Sequence, residues 1–261
     1  MDLPVTRAVE LLFGSVNRTL THVRPRATLD TVSEREPELP PTVLVFDVNE
    51  TLLDTNALAP VFHRVFGDAA VLDTWFTNLV LYSMTFTLAG AYADYLSIGQ
   101  SVLGMLGEAR GREVGDDDRR ELTETMRTLP AHPDVIPGLQ SLREQGYRLA
   151  ALTNSPFGGG PSPLDSAGLS GYFDKQVSVD ASRVYKPAPE LYRGVAQQMG
   201  VEPARCMMVA AHAWDILGAR CAGLSGALIA RSAHAPLRNA AAPEPTLVCA
   251  DITDLAGRLT G

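Results

Sequence analysis

The sequence predicts an α/β fold: a Rossmann-like, doubly wound, mostly parallel sheet with an inserted all-helical cap. Three observations carry this. The run Val43-Leu44-Val45-Phe46 ends abruptly at Asp47, as strands buried on both faces do. From His132 onward similar runs alternate with helical patterns, which calls for a parallel sheet covered on both sides. Between residues 56 and 130 that rhythm stops and only helical patterns remain.

Taken in order, Val5, Val9, Leu12, Phe13, Val16 and Leu20 fall at helical spacing, so an amphipathic helix is expected over residues 5–21, packed on the body or on a second copy. The proline-rich stretch 24–41 reads as a linker, and residues 1–41 form an N-terminal helix and linker. Residues 42–55 open the core, and 56–130 form the cap, with helices over 57–66, 69–89, 91–106 and 116–129. Asp116, Asp117 and Asp118 place negative charge where the last helix dipole favours it. Residues 131–261 complete the core. Helices over 137–145, 189–199 and 213–222 alternate with strands over 147–152, 176–179, 205–210, 226–230 and 246–249. Gly146 and Gly200 close two of those helices.

Composition narrows the function. The chain of 261 residues and 28.0 kDa is long enough for one large domain with an insert. A net charge of -8 argues against nucleic acid as partner, yet a local lysine can still hold a small anionic substrate. No basic leader and no 18-residue apolar run occur, so neither signal peptide nor membrane span is expected, and the protein reads as cytoplasmic. Cys206, Cys221 and Cys249 lack metal-ligand spacing and read as buried free thiols.

The chemistry sits at strand ends. Asp47 with Thr51, Thr153 with Asn154, Lys186, and Asp215 all belong to segments that a parallel sheet delivers to one edge. A carboxylate there can act as nucleophile. Lys186 would keep Asp47 ionised and neutralise an incoming anion, while Thr51, Thr153 and Asn154 can bind an acid group.

These segments resemble the haloacid dehalogenase superfamily, and within it the type II (S)-2-haloacid dehalogenases. The resemblance rests on Phe46-Asp-Val-Asn-Glu-Thr-Leu-Leu-Asp54, Leu152-Thr-Asn-Ser-Pro156, Ser178 to Tyr192 and Ala210-Ala-His-Ala-Trp-Asp215, over about residues 42–258. It implies hydrolytic dehalogenation of a small 2-haloacid. Asp47 attacks the substrate, an aspartyl ester forms, and water hydrolyses it. Lys186 holds Asp47, Tyr192 supports from the same segment, and Asp215 holds Lys186 or orients the water. Phosphatases of the superfamily carry a second aspartate where this chain has Asn49, which cannot protonate a leaving oxygen. A departing halide needs no proton, so Asn49 suits carbon–halogen cleavage, and no cofactor or metal is expected.

Two departures separate the chain from that pattern. The family's halide-cradling cap arginine follows a tryptophan, whereas Trp75 is followed by Phe76. The family's Ser-Ser-Asn-Ala-Trp-Asp is Ala210-Ala-His-Ala-Trp-Asp here. His212 is either a base for ester hydrolysis or a hydrogen-bonding stand-in for the asparagine. Trp75 and Phe76 are candidate pocket residues beside their default role in cap packing. Arg64 is either a stand-in for the missing cap arginine or a surface residue, Asp54 reads as a cap, and His63, His132 and His234 as structural residues without partners. The rival readings are a magnesium-dependent phosphoester hydrolase and a pathway-specific protein with a binding or non-hydrolytic role. Homodimerisation is compatible with the N-terminal helix.

Overall fold

The computed structural model describes residues 39–158, 160–231 and 234–260. The helix expected over 5–21 lies outside them, as does Gly159.

Six strands form one parallel sheet in the order β3-β2-β1-β4-β5-β6: β1 Val43–Phe46, β2 Arg148–Thr153, β3 Lys175–Ser178, β4 Cys206–Ala210, β5 Ser225–Ile229 and β6 Leu247–Cys249. β1, β4 and β5 are buried at every position, which is why their residues are apolar or small on both faces. β1 pairs with β2 on one side and β4 on the other, with Phe46 opposite both Ala151 and Val209. From β1 the order runs outward to β2 and β3 on one side and to β4, β5 and β6 on the other. Such an order opens a crevice at the carboxyl ends of β1 and β4, where the crossovers diverge. Asp47 and His212 stand just beyond those two ends.

Between β1 and β2 lie the helices Ala59–Phe66, Val71–Leu88, Tyr95–Ala109 and Asp116–Arg127, with no strand among them. Asp54 caps the 3-10 turn Thr55–Leu58 that leads into the first, its carboxylate accepting from the Asn56 N–H at 3.0 Å. Trp75, Leu79 and Leu103 are fully buried in this insert. Its seam with the sheet is held by Tyr185, whose hydroxyl donates to Ala93 O at 2.6 Å and whose N–H donates to Thr87 Oγ1 at 2.9 Å.

Two α-helices were absent from the sequence reading. The segment after β2 holds a short helix, Pro163–Ser166, capped by Ser162. The chain ends in a helix, Ile252–Leu259, capped by Asp251, which packs on Val135–Glu144 at Gly138. A Cβ at Gly138 would come within 2.5 Å of Ile252 Cγ2, so only glycine admits this approach. The cysteines are all free, but Cys221 is exposed, a correction to the expectation of three buried thiols.

Candidate active site

The strand ladder continues one residue past β1, the Asp47 N–H donating to Val209 O at 3.0 Å, and this fixes the carboxylate at the crevice. Asp47 Oδ1 accepts from Lys186 Nζ at 2.7 Å and Oδ2 from Thr51 Oγ1 at 2.7 Å. Thr51 Oγ1 in turn accepts from the Ala211 N–H at 2.9 Å, which ties the loop after β1 to the loop after β4. Burial pushes the Asp47 carboxyl upward, but the Lys186 ammonium and His212 outweigh it and hold the group well below the usual carboxylate range.

Lys186 is completely buried and spends its charge on two acids, with Nζ 2.6 Å from Asp215 Oδ2 as well. Burial opposes its charge; Asp215 and Asp47 overcome that and raise its pKa. Asp215 Oδ1 accepts from the Tyr192 hydroxyl at 2.5 Å. Burial raises the Asp215 pKa, with the Asp47 charge adding to it against the pull of Lys186. The Lys186–Pro187 peptide is cis, and the Lys186 N–H donates to Asn154 Oδ1 at 3.3 Å.

The structure brings together Asp47, Thr51, Asn49, Thr153, Asn154, Lys186, His212 and Asp215, all under 9% exposed. Asn49 Nδ2 donates to Ser155 Oγ at 3.1 Å, while its Oδ1 is buried with no partner. Thr153 Oγ1 accepts from the Ser155 N–H at 3.0 Å and shapes the turn after β2. Two expected pocket residues lie elsewhere. Trp75 is fully buried in the cap, its indole N–H donating to Gly99 O at 2.8 Å, so no substrate reaches it. Tyr192 is likewise fully buried, behind Asp215, and positions that carboxylate without facing a cleft.

A cleft of about 420 Å³ adjoins the site, lined by Glu50, Asp73, Phe76, Thr77, Val80, His212, Trp214 and His234. Phe76 stacks on His212 with ring centroids 5.5 Å apart, and Trp214 does so at 5.2 Å. Arg64 is remote, paired on the surface with Asp118 and Glu121.

His212 Nε2 is 2.6 Å from Glu50 Oε2, and its Nδ1 lies 3.4 Å from Asp47 Oδ2. Burial lowers its pKa, but Asp47 and Glu50 push it up to about 9. Glu50 is the residue that sequence reasoning missed, because a charged residue in a loop has no periodic signal. His234 is a correction: its Nε2 lies 3.5 Å from Glu50 Oε2, and its ring meets His212 edge-on at 5.0 Å.

The ligand atoms of Glu50, His212 and His234 lie within 4.8 Å of one another, the only such metal-capable group among the described residues. At 2.6 Å, the Glu50–His212 contact is a hydrogen bond, closer than the ~3.3 Å that two ligands at ~2.0–2.1 Å keep around tetrahedral zinc. At the other candidate position, Lys186 already bridges Asp47 and Asp215, and both oxygens of each carboxylate accept hydrogen bonds.

A buried strand-end carboxylate held by a lysine and a threonine, with a second carboxylate behind the lysine, defines a hydrolase site built around an aspartate nucleophile. The family model for haloacid dehalogenase-like hydrolases matches residues 41–223, and the chain belongs to that family. Among characterised relatives, (S)-2-haloacid dehalogenase 1 of Pseudomonas sp. (strain CBS-3) is 32% identical over 72% of this chain and 83% of its own length. The (S)-2-haloacid dehalogenase of Xanthobacter autotrophicus is 30% identical over 72% of this chain and 74% of its own. The structure of L-2-haloacid dehalogenase from Xanthobacter autotrophicus with chloropropionic acid covalently bound superposes with a TM-score of 0.75 at 26% identity. It covers 85% of this chain and 99% of that one.

Proposed function

We infer that this protein hydrolyses a small 2-haloacid through an ester on Asp47, without metal. The observation that carries the reading is the Asp47 carboxylate, held ionised by Lys186 and Thr51 beside Asn49, a residue with no proton to give a leaving oxygen. The covalent chloropropionate adduct of the Xanthobacter relative supports the same chemistry. One Asp47 oxygen attacks C2, the carbon–halogen bond breaks, and halide departs with the bonding pair. Lys186 then faces a neutral ester and is left to polarise its carbonyl, while Asp215 and Tyr192 hold the ammonium in place. Water attacks that carbonyl and the 2-hydroxyacid leaves. Thr153 and Asn154 belong to the turn that receives the substrate carboxylate, and Phe76 with Trp214 forms the apolar wall on the halide side.

In this reading residues 56–130 are the cap over a core of 42–55 and 131–261. Exposed Leu81 and Leu88 on the Val71–Leu88 helix support pairing of two copies, which sedimentation would register as a doubled mass. Among the described residues no helix is long and apolar enough to cross a membrane, in keeping with a cytoplasmic enzyme.

The test is halide release from each enantiomer of 2-chloropropionate in EDTA. Release that favours one enantiomer, survives the chelator and vanishes in Asp47→Asn is the expected result. A folded wild-type protein that releases no halide sinks the reading.

A further inference from the structure

We propose that the Tyr95 hydroxyl is the hydrogen-bond donor that receives the departing halide, a task left open where Phe76 stands in the place of a cap arginine. This rests on the dehalogenase reading above and adds to it the group that meets the leaving atom.

Displacement fixes where such a donor must stand. The attacking Asp47 oxygen, C2 and the halogen lie in line, so halide leaves on the side of C2 remote from Asp47, away from the sheet edge and toward the cap. Negative charge builds on the halogen as its bond breaks, and a fixed donor there stabilises the transition state more than the substrate. Phe76 has no donor to offer. Trp75 spends its indole N–H on Gly99 O, and Arg64 is held on the surface by Asp118 and Glu121.

Tyr95 is the cap residue that fills this place. It opens the helix Tyr95–Ala109, whose N-cap Asp94 accepts from the Ser97 N–H at 3.0 Å. Its ring leans on Tyr185 with centroids 6.0 Å apart, and Tyr185 is itself anchored on Ala93 O. Only 2% of the residue is exposed. The phenol oxygen is hydrogen-bonded to Asn154 and lies in the field of Asp47 and Glu50, so it meets the crevice from the cap side.

The direction of the hydrogen bonds leaves its proton unspent. The Lys186 N–H donates to Asn154 Oδ1 at 3.3 Å, which turns the amide N–H groups of Asn154 away from Lys186. The bond between Asn154 and Tyr95 favours the ionised phenol, as a donor to that oxygen does. Tyr95 therefore accepts from Asn154, and its own O–H points elsewhere. The other two buried tyrosines use theirs, Tyr185 on Ala93 O and Tyr192 on Asp215 Oδ1. Among the described residues no acceptor takes the proton of Tyr95. The chain from the Lys186 N–H through Asn154 to Tyr95 runs one way, each bond polarising the next, and ends in an O–H open to a ligand.

That proton stays on Tyr95 throughout. Burial raises the phenol's pKa well above its ordinary value, Asp47 and Glu50 add to this, and the Asn154 hydrogen bond opposes it. Hydrohalic acids are far stronger acids than a phenol, so halide accepts the hydrogen bond without taking the proton. An Asp47 oxygen bonds to C2, the carbon–halogen bond breaks with its electron pair on halide, and the Tyr95 O–H holds the ion until it leaves. Ester hydrolysis involves no halide, and Tyr95 takes no part in it.

The experiment is single-turnover halide release from 2-chloro- and 2-bromopropionate in wild type and Tyr95→Phe, with ester hydrolysis followed in the same quenched samples. Phenylalanine keeps the ring against Tyr185 and removes only the O–H; circular dichroism verifies the fold. Halide release should slow about 10²-fold for chloride and less for bromide, the weaker acceptor, while ester hydrolysis is unchanged. Chloride NMR line broadening, with sodium chloride as the only ligand, gives a readout outside turnover. Chloride binding should weaken about tenfold in the variant, the loss of one hydrogen bond. A purely structural Tyr95 slows both leaving groups alike and both phases together, and that result overturns the proposal. Unchanged halide release, or equal chloride binding by the two proteins, overturns it as well. If wild type releases no halide at all, the dehalogenase reading has failed, and the chloride titration then judges Tyr95 by itself.

Discussion

Lys186 neutralises two buried carboxylates with one ammonium, so its loss would leave both uncompensated. Lys186→Met leaves Asp47 and Asp215 facing each other without a cation. We expect a loss of about 3–5 kcal/mol in denaturant unfolding, together with loss of halide release. The Glu50–His212 pair gives a pH signature. Burial opposes both charges, yet His212 and His234 lower Glu50 to about 2 from 4.5, and Asp47 and Glu50 raise His212 to about 9 from 6.5. Glu50 therefore stabilises fully above pH 4.5 and loses its contribution as pH falls toward 2; His212 stabilises fully below 6.5 and loses its contribution as pH rises through 9. Thermal melts should show highest stability between those limits, and Glu50→Gln should make the alkaline decline shallower.

Among the elements, the helix Ala213–Ala222 places Asp215 and also packs against the segment that carries Lys186. Gly218 is the contact: a Cβ there would lie 2.5 Å from Pro187 Cβ and 2.8 Å from the Tyr192 hydroxyl. Gly218→Ala should destabilise by about 1–3 kcal/mol. Because Tyr192 and Pro187 flank Asp215 and Lys186, halide release should fall with it, as kcat more than KM. The C-terminal helix makes a parallel case, since Ile252, Leu255, Ala256 and Leu259 carried a helical spacing that was open to reading. Why that helix matters was not readable, because its seat on Gly138 depends on a neighbour more than a hundred residues away.

At the scale of the whole molecule, the cap helices meet the sheet through Phe76 on His212 and through the Tyr185 strap. Tyr185→Phe leaves Ala93 O without its donor and should cost about 1–3 kcal/mol. Loosening this seam should raise KM for the haloacid more than it lowers kcat, in steady-state assays. Strand-end polar residues, Asp47, Thr51, Asn154, Lys186 and Asp215, were legible because a parallel sheet must bring its carboxyl ends to one edge whatever the details of packing. The same reasoning set the core and helical insert apart, since periodicity is a local property of the chain. Only the tertiary structure decided which aromatic faces the cleft, putting Trp75 in the cap core and Phe76 against His212. It alone joined Glu50 to His212 and His234, because a left-handed turn and contacts across more than 160 residues leave no periodic trace in the sequence.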